Sequence, residues 1–322
     1  MDWEQYRAKK PWAGEAKPSM KRRRVGHDYH GRCIYMLTLT VKQRRPLFGH
    51  IPGNGDEEPA VMHLTPLGQA VSDAVQGIPG YYPAIEILAC QLMPDHLHVV
   101  IFVHNRLPVH LGQVISGFKA GCNRAYRNLG LNTSIPTLWE EGFNDTILDG
   151  DGQLQRMIDY VSDNPRRYAI KRAHPDLFRV RRHVTVGEHT FAAMGNIFLL
   201  DAPQLIQVQC SRKITPGQLA AQRDHCLQQA RNGAVAVSPS ISPGEKDIMR
   251  AIFDAGFPAI ILRENGFAPL AKPGGQRFNA CAEGRLLLLA PWQHHNRRIA
   301  IRRHQCLSLN QMAQAICNRP HP

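Results

Sequence analysis

The 322 residues carry 39 lysines and arginines against 26 aspartates and glutamates, a formal charge of +13, and 43% of them are apolar. That is enough hydrophobic material for two domains with their own cores, and a charged fraction of 20% argues against wholesale disorder. No apolar run is long enough to span a bilayer and the first residues lack a signal-peptide core, so a soluble, cytoplasmic protein is expected.

Residues 1–30 read as a flexible basic arm containing "KRRR" at 21–24. "CIYMLTLTV" (33–41), rich in β-branched and aromatic residues, reads as a strand, and "IPGNGDEEPA" (51–60) as a loop. A short helix near 66–76 precedes two strands, "AIEILACQLM" (84–93) and "HLHVVIFV" (96–103), which Pro94-Asp95 joins in a reversing turn. Residues 107–130 place Leu111, Val114, Ile115 and Phe118 at helical spacing, and Gly130 is the expected stop. "TLWEEGFNDTIL" (137–148) reads as a connection. The next helix, 152–165, carries a Leu154/Met157/Ile158/Val161 stripe that Asn164-Pro165 is expected to close.

The Arg- and His-rich stretch 173–190 reads as a linker. Beyond it, runs at 196–200, 205–209, 234–238, 258–263 and 285–291 read as strands. They alternate with helices near 216–232, 243–255 and 304–317, a pattern of a mostly parallel α/β sheet. The domains are therefore placed at 31–172 and 191–318.

Eight scattered cysteines without a CxxC pair suit reduced, buried thiols better than a disulfide framework or a zinc ribbon. Up to residue 182 there are 24 basic and 18 acidic residues, and after it 15 and 8, so both halves are basic, by +6 and +7. Patches at 166–172, 179–182 and 297–303 would attract phosphate backbones, although solvated surface is the ordinary role of any single basic residue.

In "QLMPDHLHVVIFV" (91–103), His96 and His98 project to one face of a strand while Leu97, Val99 and Ile101 face the other. Paired imidazoles make two corners of a metal site. Sixteen histidines make about one H-x-H pair expected by composition, so a solvent-edge pair is the competing explanation. Tyr160 and Asn164, four apart, share a helix face beside the apolar stripe, where they overlook a cleft or serve structure only. Gly150 and Gly152 before them suit a hinge or an ordinary turn.

Together the segments 35–49, 90–103, 111–127, 138–148 and 160–168 resemble, in order, the single-tyrosine HUH transposases, and among them the REP-associated tyrosine transposases. The H-hydrophobic-H strand combines with W-x-x-G-[FY]-x-D and Y-[IV]-x-x-N-P across residues 30–172. The sequence departs from the pattern at Phe143-Asn144, where many relatives carry a tyrosine or histidine, and Asp145 stays a candidate polar group. The resemblance implies an α+β ferredoxin-like antiparallel sheet of HUH endonuclease type with helices on one face. His96, His98 and Asn164 would hold Mg²⁺ or Mn²⁺, and Tyr160 would be the nucleophile. The activity implied is nicking and strand transfer on single-stranded or hairpin DNA through a 5′-phosphotyrosine, with a homodimer as one form of the enzyme.

Lys119, Arg124, Arg127, Arg166, Arg167, Lys171 and Arg172 are the candidate DNA track, with Tyr126 and Tyr168 as stacking rings. Two alternatives stand beside the enzyme: a domesticated, non-cleaving DNA-binding protein, and a zinc-stabilised module in which Cys90 or Asp95 joins the histidines. The second half resembles, by pattern, the Rossmann-like α/β fold of DNA-processing protein A. No dinucleotide or P-loop motif occurs in it, and Ser242 and Gly244, at a strongly capped helix start, are the candidate phosphate-binding positions.

Overall fold

A computed structural model of the chain describes residues 24, 26–53, 60–211, 213–268, 271–297 and 299–319. Most of the basic arm and the loop positions 54–59 lie outside them. The chain divides into two compact units, the first ending at Ala173 and the second beginning at His174. All eight cysteines are free. Among the described residues no helix is long and apolar enough to cross a membrane.

The first unit is built on a four-stranded antiparallel sheet of β1 (Cys33–Thr40), β2 (Ile85–Met93), β3 (His96–Val103) and β4 (Asn144–Ile147), in the order β2-β3-β1-β4. Its long helices are α1 (Pro66–Gln76), α2 (Leu111–Asn128) and α3 (Gln153–Ala173). Alternation sorts the side chains into two layers. Leu37, Leu39, Leu97, Val99 and Ile101 meet Leu67 and Val71 of α1 and Leu111, Val114 and Phe118 of α2 in one core. Met36 and Val100, on the opposite face, pack with Leu148 and with Val161, Leu154 and Met157 of α3. Helices therefore cover both faces of the sheet, not one as expected. α1 and α2 complete the apolar core, and α3 brings its own stripe to the residual apolar patch.

Three local expectations fail for identifiable reasons. Residues 144–147, read as connection, form edge strand β4 against β1, a length too short for periodicity to show. Tyr29, assigned to the arm, is 2% exposed and stacks on Tyr35, so the fold begins before residue 30. α3 does not stop at Asn164-Pro165 but continues to Ala173 with Pro165 inside it. Proline removes the N–H that would bond the Val161 carbonyl. The Asn164 amide takes over locally, its Nδ2 donating to the carbonyls of Tyr160 (2.7 Å) and Val161 (3.5 Å). Burial of Val161, Asn164, Pro165, Ala169 and Ile170 holds the continued helix in place.

The second unit has a six-stranded sheet. Hairpin β5 (Arg181–Val186) and β6 (His189–Gly195) precedes β7 (Leu205–Gln207), α4 (Pro216–Arg231), β8 (Val235–Ser238) and α5 (Pro243–Asp254). β9 (Ala259–Leu262), α6 (Gln276–Ala282), β10 (Leu286–Ala290) and α7 (Arg303–Cys317) complete it. The spatial order is β5-β6-β10-β9-β8-β7, with β7 to β10 parallel and the hairpin antiparallel. A one-directional order of right-handed crossovers puts the connecting helices on one face. Accordingly Cys226, Ile248, Ile252 and Ala280 pack on Ala236, Ile261 and Leu288. Leu309, Ala313 and Ile316 of α7 cover Val235, Val237, Ile260 and Leu287 on the other face. The four parallel strands have no reversal of order, unlike the doubly wound arrangement that the Rossmann-like expectation carries.

The expected linker is folded, since Arg181–Val186 pairs with His189–Gly195. The run 196–200 is a 3₁₀ turn, not a strand. Asn196 Oδ1 accepts the Phe198 N–H, and Phe198 is 73% exposed. Ser242 caps α5, and Gly244 is a position of close packing in its first turn. Ser242 Oγ accepts from the Glu245 N–H (3.2 Å), and Gly244 lies where a Cβ would press on Cys210 and Leu219. The Glu245 carboxylate, 2% exposed, accepts from the N–H groups of Ile241 (2.7 Å), Ser242 (3.0 Å) and Cys210 (3.4 Å), standing where an anion would. Glu245→Ala strands these buried donors and is expected to destabilise the second unit by on the order of 3 kcal/mol in urea unfolding. A change under about 0.5 kcal/mol would show that the cap is dispensable.

Candidate active site

The antiparallel register sets His98 opposite Thr38 and His96 opposite Thr40, on the sheet face that α3 covers. His98 is 6% exposed. Its Nδ1 lies 2.9 Å from Thr38 Oγ1, and its Nε2 lies 3.2 Å from Nε2 of His96. His96 Nδ1 donates to Asp95 Oδ1 at 2.5 Å, and Arg44 pairs with the other Asp95 oxygen at 3.3 Å. Burial opposes charge on Asp95, but the His96 hydrogen bond and the His96 and Arg44 charges outweigh it and hold the carboxyl below its usual range.

These partners decide the tautomers. A carboxylate can only accept, so His96 donates from Nδ1 and turns a lone pair on Nε2 toward His98. The Thr38 hydroxyl can donate or accept. When it donates, His98 carries its proton on Nε2 and bonds to His96. When it accepts, both Nε2 lone pairs face one space, which suits a divalent cation. Burial above all, with His96 and Arg44 alongside opposing a further positive charge, pushes His98 down to about 3, so it is neutral.

Tyr160 comes to this face from α3. Its ring meets the His98 ring edge-on, with centroids 5.8 Å apart, and is 37% exposed. The Arg167 guanidinium lies 5.5 Å from the Tyr160 ring centroid. Asn164, one turn on, is 8% exposed. Both its amide hydrogen bonds are donated by Nδ2, and no described residue donates to Oδ1. Among the described residues no group of three His, Cys, Asp or Glu could hold a metal. Two imidazoles fit such an ion, and an amide oxygen is one of several kinds of oxygen that could join them. Gly152 holds φ +64 in the turn before α3, a conformation that suits a hinge and an ordinary turn alike.

The zinc alternative loses its sulfur. Cys90 stands opposite Val99 on the core face of β2, and burial pushes its thiol up to about 11. Asp95 is already engaged by His96 and Arg44.

The expected DNA track is divided. Lys119, Arg124 and Arg127 belong to α2, across the sheet from the imidazoles, and Lys119 Nζ donates to the carbonyls of Glu140 (2.7 Å) and Gly142. Tyr126 is fully buried, donating to the Ile135 carbonyl and accepting from Arg45, so it offers no stacking face. Asp145 lies opposite Leu37 on the core face and accepts from Tyr29 Oη at 2.7 Å, which removes it from the site. Arg166, Arg167, Lys171 and Arg172 share α3 with Tyr160. Arg166 is doubly bonded to Asp163, and Arg172 donates to the Ile51 carbonyl and lies over the Tyr168 ring. The lysine at 171 is close enough to His98 to help keep it neutral.

Thr38 is the residue that reading by motif missed, and the alternation of "TLT" opposite "HLH" is the signal that contains it. Asn144 extends the row, opposite Thr38 on the edge strand, and Gln91 closes it on the other side of His98.

No protein-family model matches the chain. An uncharacterized protein of Haemophilus influenzae is 25% identical over 159 residues, covering 43% of this chain and 83% of its own length. Among solved structures, a REP-associated tyrosine transposase bound to a REP hairpin matches 45% of this chain and 74% of its own, with 16% identity and a TM-score of 0.33. DNA processing protein A from Helicobacter pylori, described by its single-stranded DNA binding mode, matches 44% of this chain and 66% of its own, with 15% identity and a TM-score of 0.33. Neither structural match reaches a score from which a shared fold follows.

The neutral His98 makes the first unit sensitive to acid. Unfolded, the imidazole has its ordinary value near 6.5; folded, it titrates at about 3. Its contribution to stability is therefore complete above pH 6.5 and is lost as pH falls toward 3. Between pH 6.5 and 5 the loss is about 2 kcal/mol. Urea unfolding without added metal should show that slope in the parent protein and a flatter one in His98→Gln. Equal slopes would contradict the assignment.

Proposed function

We propose that the first unit is a metal-dependent enzyme that nicks and rejoins single-stranded or hairpin DNA, with Tyr160 as nucleophile. The observation that carries the reading is the meeting of Tyr160 with His98, whose Nε2 converges with that of His96. A binding module needs neither a phenol beside paired imidazoles nor a threonine and an aspartate orienting them.

His96, His98 and Asn164 are the residues that would hold Mg²⁺ or Mn²⁺. Bound there, the ion would neutralise a non-bridging phosphate oxygen and fix the scissile phosphodiester. The protein's own part is positional. Asp95 sets the His96 tautomer, Thr38 orients the His98 ring, and α3 holds the phenol at the same face. Tyr160 Oη attacks phosphorus in line. An Oη–P bond forms, the P–O3′ bond breaks, the phenol proton passes to water and the departing 3′ oxygen gains one. The product pair is a 5′-phosphotyrosine and a 3′-hydroxyl. Attack by a 3′-hydroxyl reverses the step on the same or another end, so no nucleotide hydrolysis is required. The neighbouring Lys171 adds positive charge on the face where a DNA backbone would lie, while Arg167, beside the Tyr160 ring, shares its charge with Asp163.

The test uses hairpin oligonucleotides labelled at the 5′ or 3′ end, with Mg²⁺ or Mn²⁺. A covalent adduct carrying the strand 3′ of the nick is expected with the parent protein. It should fall by at least about a thousandfold in Tyr160→Phe and vanish with a chelator. Metal-independent binding with no adduct would favour a non-cleaving DNA-binding protein and end the enzymatic reading.

Thr38→Val removes the hydroxyl that bonds His98 Nδ1 at nearly constant shape. It is expected to raise the Mn²⁺ concentration for half-maximal adduct roughly tenfold to a hundredfold while leaving the maximal level near that of the parent. An unchanged metal requirement would assign Thr38 to packing alone.

A further inference from the structure

The second unit contains a cleft of about 950 Å³ at the carboxyl ends of β8 and β9, roofed by α5. Its floor follows from the sheet: the strand ends open into Pro239, Ser240 and Ile241 on one side and Arg263, Glu264 and Asn265 on the other. Ser240 holds φ +52, which turns the backbone away from the strand direction.

Four basic side chains line this space: Lys246 and Arg250 from α5, Arg263 after β9, and Arg277 from α6. Among the described residues none of the four forms an ion pair. Two carboxylates, Asp254 and Glu264, share the lining, so the balance is four positive charges minus two negative, or +2. Arg263 is half-buried, its guanidinium 4.8 Å from the centroid of the Phe267 ring. Burial first, and then the like charge of Arg277, lowers its pKa from the usual arginine range, with Glu264 opposing. Two guanidiniums near enough to repel, with no carboxylate bridging them, form a site that an anion relaxes. The walls are not uniformly polar: Phe253, which also packs under the Arg285 guanidinium, adds apolar surface backed by the largely buried Met249 and Ile261.

We infer that this cleft binds a small nucleotide bearing two or more phosphates. The volume is that of a small-molecule site. The charge balance calls for a dianion or more, and apolar wall and cation cluster divide the space between a base and a polyphosphate. The helix start at Ser242 takes no part, because Glu245 occupies it. The inference does not depend on Tyr160, which belongs to the other unit.

Calorimetric titration of the full chain at low salt with ADP, with sodium pyrophosphate and with a short single-stranded oligonucleotide tests it. Saturable binding of about one ADP per chain is expected, with pyrophosphate competing and Tyr160→Phe binding as the parent does. Arg250 and Arg277 are both exposed, so the double variant Arg250→Gln, Arg277→Gln should keep its fold, checked by circular dichroism and the melting midpoint. It should bind ADP at least about tenfold more weakly. No saturable ADP or pyrophosphate binding at millimolar concentration, or an affinity unchanged in the folded double variant, overturns the inference. Binding of the oligonucleotide alone also overturns it, in favour of a nucleic-acid track.

Discussion

The pairing of β3 with β1 is the constraint on which the rest of the first unit depends. Because strand side chains alternate with period two, the register that buries Leu97, Val99 and Ile101 with Leu37 and Leu39 must turn His96 and His98 to the other face, beside Thr40 and Thr38. A slip of one residue would bury two imidazoles in the apolar core and expose its largest aliphatic side chains. The cost of that error, several buried side chains at about 1.5–3 kcal/mol each, fixes the position of the imidazoles far more firmly than their own hydrogen bonds do. The candidate site is thus positioned by the core on the opposite side of the sheet.

The second element of the site depends on a helix that should have ended. Proline at 165 leaves the Val161 carbonyl without its normal donor, and the preceding residue is biased against helix. Asn164 answers with a side-chain donor to the carbonyls of Tyr160 and Val161. With its nitrogen so committed, the amide oxygen is directed away from the helix's own backbone. One residue therefore repairs the helix and presents an acceptor one turn from the phenol. An alanine there would lose both functions, whereas an aspartate would present an acceptor but could not donate to either carbonyl.

Much of this was legible in the sequence. Alternation over residues 96–103 correctly separated imidazoles from core, and the apolar stripe of α3 located Tyr160 beside it, because both signals repeat over enough residues to exceed chance. The edge strand 144–147, only four residues long, lacked that length, and the 3₁₀ turn at 197–201 imitated a buried strand by composition. The failures within the site have another cause. Lys119, Arg124 and Arg127 belong to a helix with a clear apolar face, but periodicity says which side of a helix is buried and nothing about which face of the sheet receives it. Only the three-dimensional order put α2 across the sheet from α3, and with it moved three of the seven expected basic residues away from Tyr160.

Charge shows the same limit more sharply. The two halves differ by a single unit of net charge and both hold ion pairs, yet not all of their basic residues are employed alike. In the first unit Arg24, Lys42, Arg44, Arg106, Arg166 and Arg167 pair with Asp149, Glu140, Asp95, Asp28 and Asp163. Such pairs add little stability at an exposed surface, but they neutralise the field that a polyanion would feel. In the cleft of the second unit Lys246, Arg250, Arg263 and Arg277 have no such partners among the described residues. Arg44 is the exception that joins the two cases. Its charge leans on Asp95, Asp95 orients His96, and the same guanidinium helps to keep His98 neutral. An arginine that the sequence shows only as part of the total charge thereby acts on the protonation of a buried imidazole, and it is this placement, more than the total of +13, that gives the basic residues chemical meaning.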